Sequence, residues 1–391
     1  MNMLLYLVYG GTETYWRELK FSVLSAVSFL DKEPQSDVKI VIATDQPDQV
    51  AGWPVEVYPF DQTKLTEWAG PDNYLHRSKN RLMAEIMEHY QIPCAFIDTD
   101  TYFVASPALL FTRVAPGMSV MHLPEGLLVE KHIPLADYAV GRELVDPNGD
   151  TYVIQPDSIM VNSGVVGIHP DDRMLIDRAL WLVDELYGPT QIFNVEQYAM
   201  GEVLRTCTEL NMSGDIIHHY WGFSRPFFHR ELIRFFEESK SLSFAEQAER
   251  CGEVRAEVPR NPFGQRLRAR VSRLFGSWSE VYAAAYLAVK SSEKCVLEAD
   301  DPNCELAKIW REQALALLIE EREKGNIAFA EGRRRAGQFA GLLKHMLQSK
   351  VWLPVRDPAL LDRFEEDERL SWDKFWAETK GLLGRLQNTR G

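Results

Sequence analysis

Pro93-Cys94-Ala95-Phe96-Ile97-Asp98-Thr99-Asp100 is the stretch whose reading decides the fold of this chain. Pro93 to Ile97 form a short apolar run, the pattern of a strand buried on both faces. The run leads straight into two carboxylates one residue apart. In open α/β sheets, ligands collect at the carboxyl ends of strands. Two acids held there repel each other unless positive charge lies between them. A divalent metal with a bound phosphate meets that need. The alternative is a solvated turn in which one Asp caps the next segment, because Asp-x-Asp is common at surfaces.

The flanking sequence alternates strand and helix patterns. Leu4 to Tyr9 reads as a first strand. Trp16 to Leu30 has helical spacing, with Leu19, Val23, Val27 and Leu30 on one face. Val38 to Ala43 is a second strand, ended by Thr44-Asp45-Gln46-Pro47, and Val55 to Tyr58 a third. Ser78 to Tyr90 reads as a helix feeding the Asp98 strand. Met118 to Met121 and Asp157 to Ile168 supply further strands. This alternation predicts an open α/β sheet with ligands along one edge. Residues 122–155 form a long polar stretch, read either as a lid or as a surface loop.

After about residue 230 the pattern turns helical. Ser243-x-x-Glu246 and Ser277-x-x-Glu280 have the form of capping boxes. Asp301-Pro302 has the form of an N-cap followed by Pro at the first helical position. Leu306, Ile309, Trp310 and Leu317 then follow helical spacing, and further helices are expected near 327–349 and 371–386. Two parts are therefore expected: a ligand-binding domain over 1–230, and a mainly helical region over 231–391 for acceptor, membrane-surface or oligomer contacts.

A hydrophobic content of 46 % with 26 % charged residues gives ample material for a core. The formal charge is 43 − 57 = −14, which excludes a general nucleic-acid grip, since that needs a basic face. An anionic substrate then requires a local cluster of cations or a metal. The five cysteines are odd in number and lack C-x-x-C spacing, which points to a reducing compartment and no zinc site. The apolar start, Met3 to Val8, has no basic residues before it and is too short for a signal peptide or a span. The expectation is a cytoplasmic protein. Residues 254–275 interleave Arg255, Arg260, Arg266, Arg268, Arg270 and Arg273 with Leu267, Val271, Leu274 and Phe275. Peripheral contact with an anionic membrane is one reading of this segment. A solvated helix paired with acids elsewhere is the plainer one.

Three more segments carry chemistry. In Met160 to Ile168 an apolar strand is interrupted by Asn162-Ser163-Gly164, which is costly unless backbone or ligand must approach closely. Glu196-Gln197 precede an expected helix over Tyr198 to Arg205, and helix N-terminal polarity is their plain reading. His219-Tyr220-Trp221-Gly222-Phe223-Ser224-Arg225-Pro226-Phe227 sets an imidazole, a glycine and a cation in one loop. There Gly222 would admit a phosphate and Arg225 would neutralise it.

With these motifs in this order, the chain resembles the nucleotide-sugar glycosyltransferases of the GT-A fold, and in particular glycosyltransferase family eight, which includes glycogenin and bacterial galactosyltransferases. The resemblance covers roughly the first 230 residues. It implies a Rossmann-like, mixed and mostly parallel sheet flanked by helices. It implies that Asp98, Asp100 and His219 hold Mn²⁺ or Mg²⁺. Tyr9, Arg81, Asp98, Asn162, Gly222 and Arg225 would bind the donor, with Arg77 and Lys79 as alternatives to Arg81. Gln197, Glu196 and Arg225 would serve the transfer step, with no nucleophile named. The implied donor is a nucleoside-diphosphate sugar, a UDP-sugar by the family pattern, and the implied outcome is retention. The acceptor is a glycan, a lipid or a protein.

Departures from the pattern are few. Arg225 replaces a Lys, Phe227 a Trp and Glu196 an Asp. The first strand ends Val8-Tyr9-Gly10-Gly11, without the family's acidic residue. Two rival functions follow from the same residues. A sugar-1-phosphate nucleotidyltransferase would need a basic Gly-rich loop after strand one, which Gly10-Gly11-Thr12-Glu13 lacks. A non-catalytic nucleotide-sugar-binding or scaffold protein would not need Asp98, Asp100 and His219 together.

Overall fold

The computed structural model describes residues 1–146, 149, 151–275, 278–301, 304–328, 339, 341–346 and 374–377. The chain divides into two compact units, Met1–Ala256 and Glu257–Gly391. In the first, β1 (Asn2–Val8) is followed by α1 (Glu13–Leu30), β2 (Val38–Thr44), β3 (Glu56–Pro59), α2 (Gln62–Ala69), α3 (Arg77–Tyr90), β4 (Cys94–Ile97), β5 (Thr101–Phe103) and α4 (Ala108–Phe111). Next come β6 (Met118–Met121), β7 (Pro124–Leu127), α5 (Leu128–Lys131), α6 (Ile133–Ala139), β8 (Glu143–Val145), β9 (Thr151–Val153), β10 (Ile159–Val161) and β11 (Val165–Ile168). The unit closes with α7 (Met174–Thr190), α8 (Val195–Cys207), β12 (Glu209–Met212), β13 (Ile217–His219), α9 (Arg225–Glu238) and α10 (Phe244–Cys251).

Among the described residues, the central sheet has seven strands in the order β12-β6-β11-β4-β1-β2-β3. β1, β2, β3 and β4 run parallel, β12 runs parallel to β6, and β11 is antiparallel to both its neighbours. This is a mixed, mostly parallel α/β sheet flanked by helices. The chain steps outward from β1 to β3 and then returns to the other side of β1 as β4. The strand order therefore reverses between β1 and β4, the kind of crevice in which such sheets bind ligands.

Alternation along the strands supplies both faces. Met3 and Leu5 of β1, Val41 and Ala43 of β2, and Cys94 and Phe96 of β4 join one core with α3, α7 and α8. Leu4, Tyr6 and Val8, Ile40 and Ile42, and Ala95 and Ile97 join the other, with α1, α9 and α10. Each strand is buried on both sides, which is why these segments read as continuous apolar runs. α1 is buried nearly all round, including Glu18, Ser22 and Ser25, because it lies between the sheet and α9 and α10.

Several sequence expectations change here. The single strand expected over Asp157 to Ile168 is two. β10 pairs with β7 in a separate ribbon, β11 enters the central sheet, and Asn162-Ser163-Gly164 is the joint between them. Residues 122–155 are not a plain surface loop. They fold into β7, α5, α6, β8 and β9, and Leu128, Leu135, Ala139, Leu144 and Ile154 enter the core. A domain boundary at residue 230 would cut α9. Phe228, Leu232 and Phe235 of α9, with Ala248 and Cys251 of α10, share a core with α1, so the first unit extends to Ala256.

The second unit contains α11 (Phe263–Leu274), α12 (Glu280–Ala299) and α13 (Glu305–Ala328), with α11 and α13 packed on α12. Ser243 and Glu246 form the expected capping box of α10. The cap of α12 is Ser279, which accepts from the Tyr282 N–H at 2.9 Å; Ser277 lies outside the described residues. Pro302 and most of 327–349 and 371–386 lie outside them as well, while 341–346 and 374–377 are helical.

Candidate functional site

Asp98-Thr99-Asp100 links β4 to β5 at the carboxyl edge of the sheet. The Asp98 N–H donates to the Gly164 carbonyl at 2.9 Å, extending the β4–β11 ladder by one bond. The Thr101 hydroxyl donates to the Asp98 carbonyl at 2.8 Å and closes the turn. β5 then pairs antiparallel with β13, with His219 opposite Thr101. The Tyr220 N–H donates to the Asp100 carbonyl at 3.1 Å and fixes the end of that ribbon. Two serines of α1 hold β5 from the other side: the Ser25 hydroxyl accepts from the Phe103 N–H at 2.8 Å, and Ser22 lies 3.1 Å from the Thr101 hydroxyl.

This backbone brings one ligand-type atom from each of Asp98, Asp100 and His219 within 4.8 Å of one another. Nε2 of His219 lies 3.0 Å from the Asp100 carboxylate. Its Nδ1 lies 2.9 Å from the side-chain oxygen of Asn162. That oxygen also accepts from the Gly164 N–H at 2.9 Å, so it faces the imidazole as an acceptor and Nδ1 carries a proton. The imidazole therefore turns Nε2 toward the two acids, the orientation that an outer carbonyl imposes on a metal-binding His. Burial raises the Asp100 carboxyl, but the hydrogen bond and charge of His219 and the charge of Arg225 outweigh it and hold the group below its ordinary value. Two carboxylates and one oriented imidazole fit a Mn²⁺ or Mg²⁺ ion completed by phosphate or water oxygens.

Gly164 is required by this packing. A Cβ there would stand 2.3 Å from Nδ1 of His219 and 3.0 Å from the Asn162 oxygen. The close approach expected here is of backbone or ligand; the group that comes close is instead the His219 side chain.

Two cations border the acids. Lys79, buried on α3, lies 3.1 Å from Asp98, 3.2 Å from the Ser163 hydroxyl, and also donates to the Ser163 carbonyl. Arg225 is the first residue of α9 rather than part of a loop. Its Nε and Nη2 bind the two oxygens of buried Glu18, and its Nη1 lies 3.8 Å from Asp100. His229 also bonds Glu18.

On the other side of His219, Glu125 of β7 accepts from Asn162 at 2.8 Å and from the Gln197 amide at 2.9 Å. Glu196 and Gln197 lie within the first turn of α8, not ahead of it. The Glu196 N–H donates to the Tyr74 hydroxyl at 3.2 Å, and one carboxylate oxygen lies 3.3 Å from the Ser163 hydroxyl. The other oxygen is buried without a partner. Burial pushes this carboxyl up to about 7; Lys79 pulls it down, and the Asp98 charge pushes it up.

The structure thus gathers Asp98, Asp100, Asn162, Glu196, Gln197, His219 and Arg225. Gly222 stands in the left-handed region at φ 69° three residues before Arg225. Tyr9 lies at the carboxyl end of β1, half-buried, and the adjacent Gly10 N–H donates to Asp45 at 3.2 Å. An acid absent from strand one is therefore present beside it, supplied by the end of β2. Arg81 is half-buried on α3, whereas the α3 cation that reaches Asp98 is Lys79; Arg77 pairs with Asp184 at 2.7 Å instead. Sequence reasoning missed Glu18, Asp45, Glu125 and His122. Glu18 was readable as a charge at an inward position of an apolar helix. His122 packs edge-on to His219 at 5.5 Å between ring centroids, and burial, then the neighbouring His219, pushes its pKa down to about 4.

No family model matches the chain, and no curated protein matches it. Among solved structures, it is similar to a crystal structure of the galactosyltransferase LgtC in complex with donor and acceptor sugar analogues. Sequence identity is 13 % and the TM-score 0.39, over 66 % of this chain and 97 % of that one.

Proposed function

We propose that this chain is a metal-dependent glycosyltransferase that moves a sugar from a nucleoside-diphosphate sugar, a UDP-sugar by the order of its motifs, to a glycan, lipid or protein acceptor. The observation that carries the reading is the convergence of Asp98, Asp100 and His219 from separate segments, with His219 oriented by Asn162. A bound Mn²⁺ or Mg²⁺ would supply Lewis acidity at the departing diphosphate. The remaining work falls to the chain's own side chains. Arg225, locked on Glu18, presents Nη1 beside Asp100 as a preorganised positive charge. Gly222 leaves the backbone before it open to a phosphate. Asn162, Glu196 and Gln197 line the sugar side, with Glu125 fixing the amides of Asn162 and Gln197. Glu196, buried with its carboxyl pushed up to about 7, backs this side through the Ser163 hydroxyl. Tyr9 and Arg81 are assigned to the nucleoside end of the donor, and retention is the expected stereochemical outcome.

A thermal-shift and calorimetric screen of nucleoside diphosphates and their sugars, with and without Mn²⁺, tests this reading. Metal-dependent UDP binding, donor turnover, and loss of both in Asp100→Ala are expected. Nucleotide binding indifferent to metal, or donor turnover unchanged in Asp100→Ala, would overturn it.

A further inference from the structure

Helix α11 is built inside out for a helix bathed in water. Phe263, Leu267, Val271, Leu274 and the following Phe275 are 73, 53, 42, 77 and 81 % exposed. At the pitch of an α-helix, Phe263, Leu267 and Leu274 fall within about 40° of one another, with Val271 about 40° further round. The opposite side carries the contacts to α12: Ala269 is buried, Gln265 bonds the Tyr286 hydroxyl, and Arg268 lies over the rings of Trp278 and Tyr286 at 5.8 and 5.5 Å. The polar and small residues face inward, and the large apolar ones face out.

The charge around this face is equally one-sided. Residues 258–275 contain Arg260, Arg266, Arg268, Arg270 and Arg273 and no acidic residue, in a chain of net charge −14. Arg266 and Arg270 are exposed and flank the apolar face. A second copy of the chain docked by the same face would bring arginines against arginines, a repulsive pairing for a symmetric interface. A surface of anionic lipid headgroups over an apolar interior complements both features at once. We infer that α11 lies in the plane of an anionic bilayer surface, with Phe263, Leu267, Leu274 and Phe275 in the headgroup–acyl boundary and the arginines on lipid phosphates. Among the described residues no helix is long and apolar enough to cross a membrane, so the contact is peripheral. The plainer sequence reading, a solvated helix paired with acids elsewhere, is met at Arg273, which lies 3.2 Å from Glu280, but it does not account for the exposed phenylalanines and leucines.

The inference stands apart from the sugar-transfer reading and is tested without activity. The full chain is sedimented with phosphatidylcholine vesicles, with and without about 30 mol % phosphatidylglycerol, at roughly 0.1 and 0.5 M salt. Two variants accompany it: L267E/L274E, and R266Q/R270Q/R273Q. All substituted side chains are solvent-exposed, and far-UV circular dichroism with a melting curve checks that each variant folds. Wild type is expected to bind the anionic vesicles at least tenfold more than neutral ones and to release at high salt. The arginine variant should lose affinity on the order of a hundredfold, at about fivefold per arginine. The apolar variant should lose binding at both salt concentrations. Absence of sedimentation, equal binding to both vesicle types, or unchanged binding by the folded variants would overturn the inference. A concentration-dependent dimer abolished by L267E/L274E, without vesicle binding, would assign the face to a second copy instead.

Discussion

Glu18 is fully buried in α1, and its two carboxylate oxygens accept from Nε and Nη2 of Arg225 at 2.8 and 2.7 Å. Breaking a buried pair from one side leaves an uncompensated charge, which costs about 3–5 kcal/mol. Arg225→Ala should therefore lower unfolding stability in urea by an amount of that order, since among the described residues His229 alone then remains on Glu18. Glu18→Leu combined with Arg225→Met should recover most of that loss, because no buried charge is then left. The double variant should still fail to bind UDP with Mn²⁺. An Arg225→Ala protein as stable as wild type would remove the clamp from the account.

The two glycines of the site separate steric from conformational demand. Gly164→Ala forces the imidazole aside, because the new methyl would meet Nδ1 at 2.3 Å. The melting-temperature gain on adding Mn²⁺ should disappear in that variant. Gly222→Ala meets nothing within 4 Å and costs only the left-handed backbone, roughly 1 kcal/mol. It should keep the Mn²⁺ response. Equal responses in the two variants would contradict this division.

Lys79 neutralises Asp98 from inside the fold. With Lys79→Met, two carboxylates face each other with less compensation, so metal-free protein should melt several degrees lower, on the scale of about 2–4 °C per kcal/mol. A divalent ion supplies charge to the same acids. The Mn²⁺-induced gain in melting temperature should therefore be larger in Lys79→Met than in wild type. A smaller gain would indicate that the lysine helps to hold the metal-bound state.

Glu196 sets a pH dependence whose sign follows from burial. Its folded-state pKa, near 7, lies above the ordinary 4.5. Between those values the folded chain binds more protons than the unfolded one, so stability falls as pH rises through the window. The loss is complete about one unit above that folded-state value and amounts to about 3 kcal/mol. Glu196→Gln lacks this titration. Melting temperatures of the two proteins should converge near pH 4.5 and diverge toward pH 8, with the variant the more stable. Parallel curves across that range would rule the titration out.

Local signals made the candidate ligands legible, and long-range packing hid their supports. Asp98 and Asp100 announce themselves because an apolar run ends on them, and Asn162-Ser163-Gly164 because it interrupts one. Glu125 and Asp45 carry no such mark, and Glu18 shows only as a charge at an inward position of an apolar helix. Each gains its role from a partner far along the chain, such as Arg225 for Glu18 or Gln197 for Glu125. That Lys79, rather than Arg81, is the α3 cation beside Asp98 was hidden for a related reason, since which face of α3 meets the sheet follows from burial and not from position. Residues 122–155 look polar because their elements are short, and even α6 brings just three side chains to the core, Leu135, Ala136 and Ala139, too few to register as a period.

The β5–β13 ribbon also has a consequence in time. His219 reaches Asp100 across 119 residues of sequence. During synthesis at about 5–20 residues per second, the paired acids would wait on the order of 6–24 s for their imidazole. Until then Lys79, made before both acids, is the cation that the folded chain sets against Asp98. On the proposed metal-dependent reading, a nascent chain that has not yet delivered β13 would have no assembled centre to load.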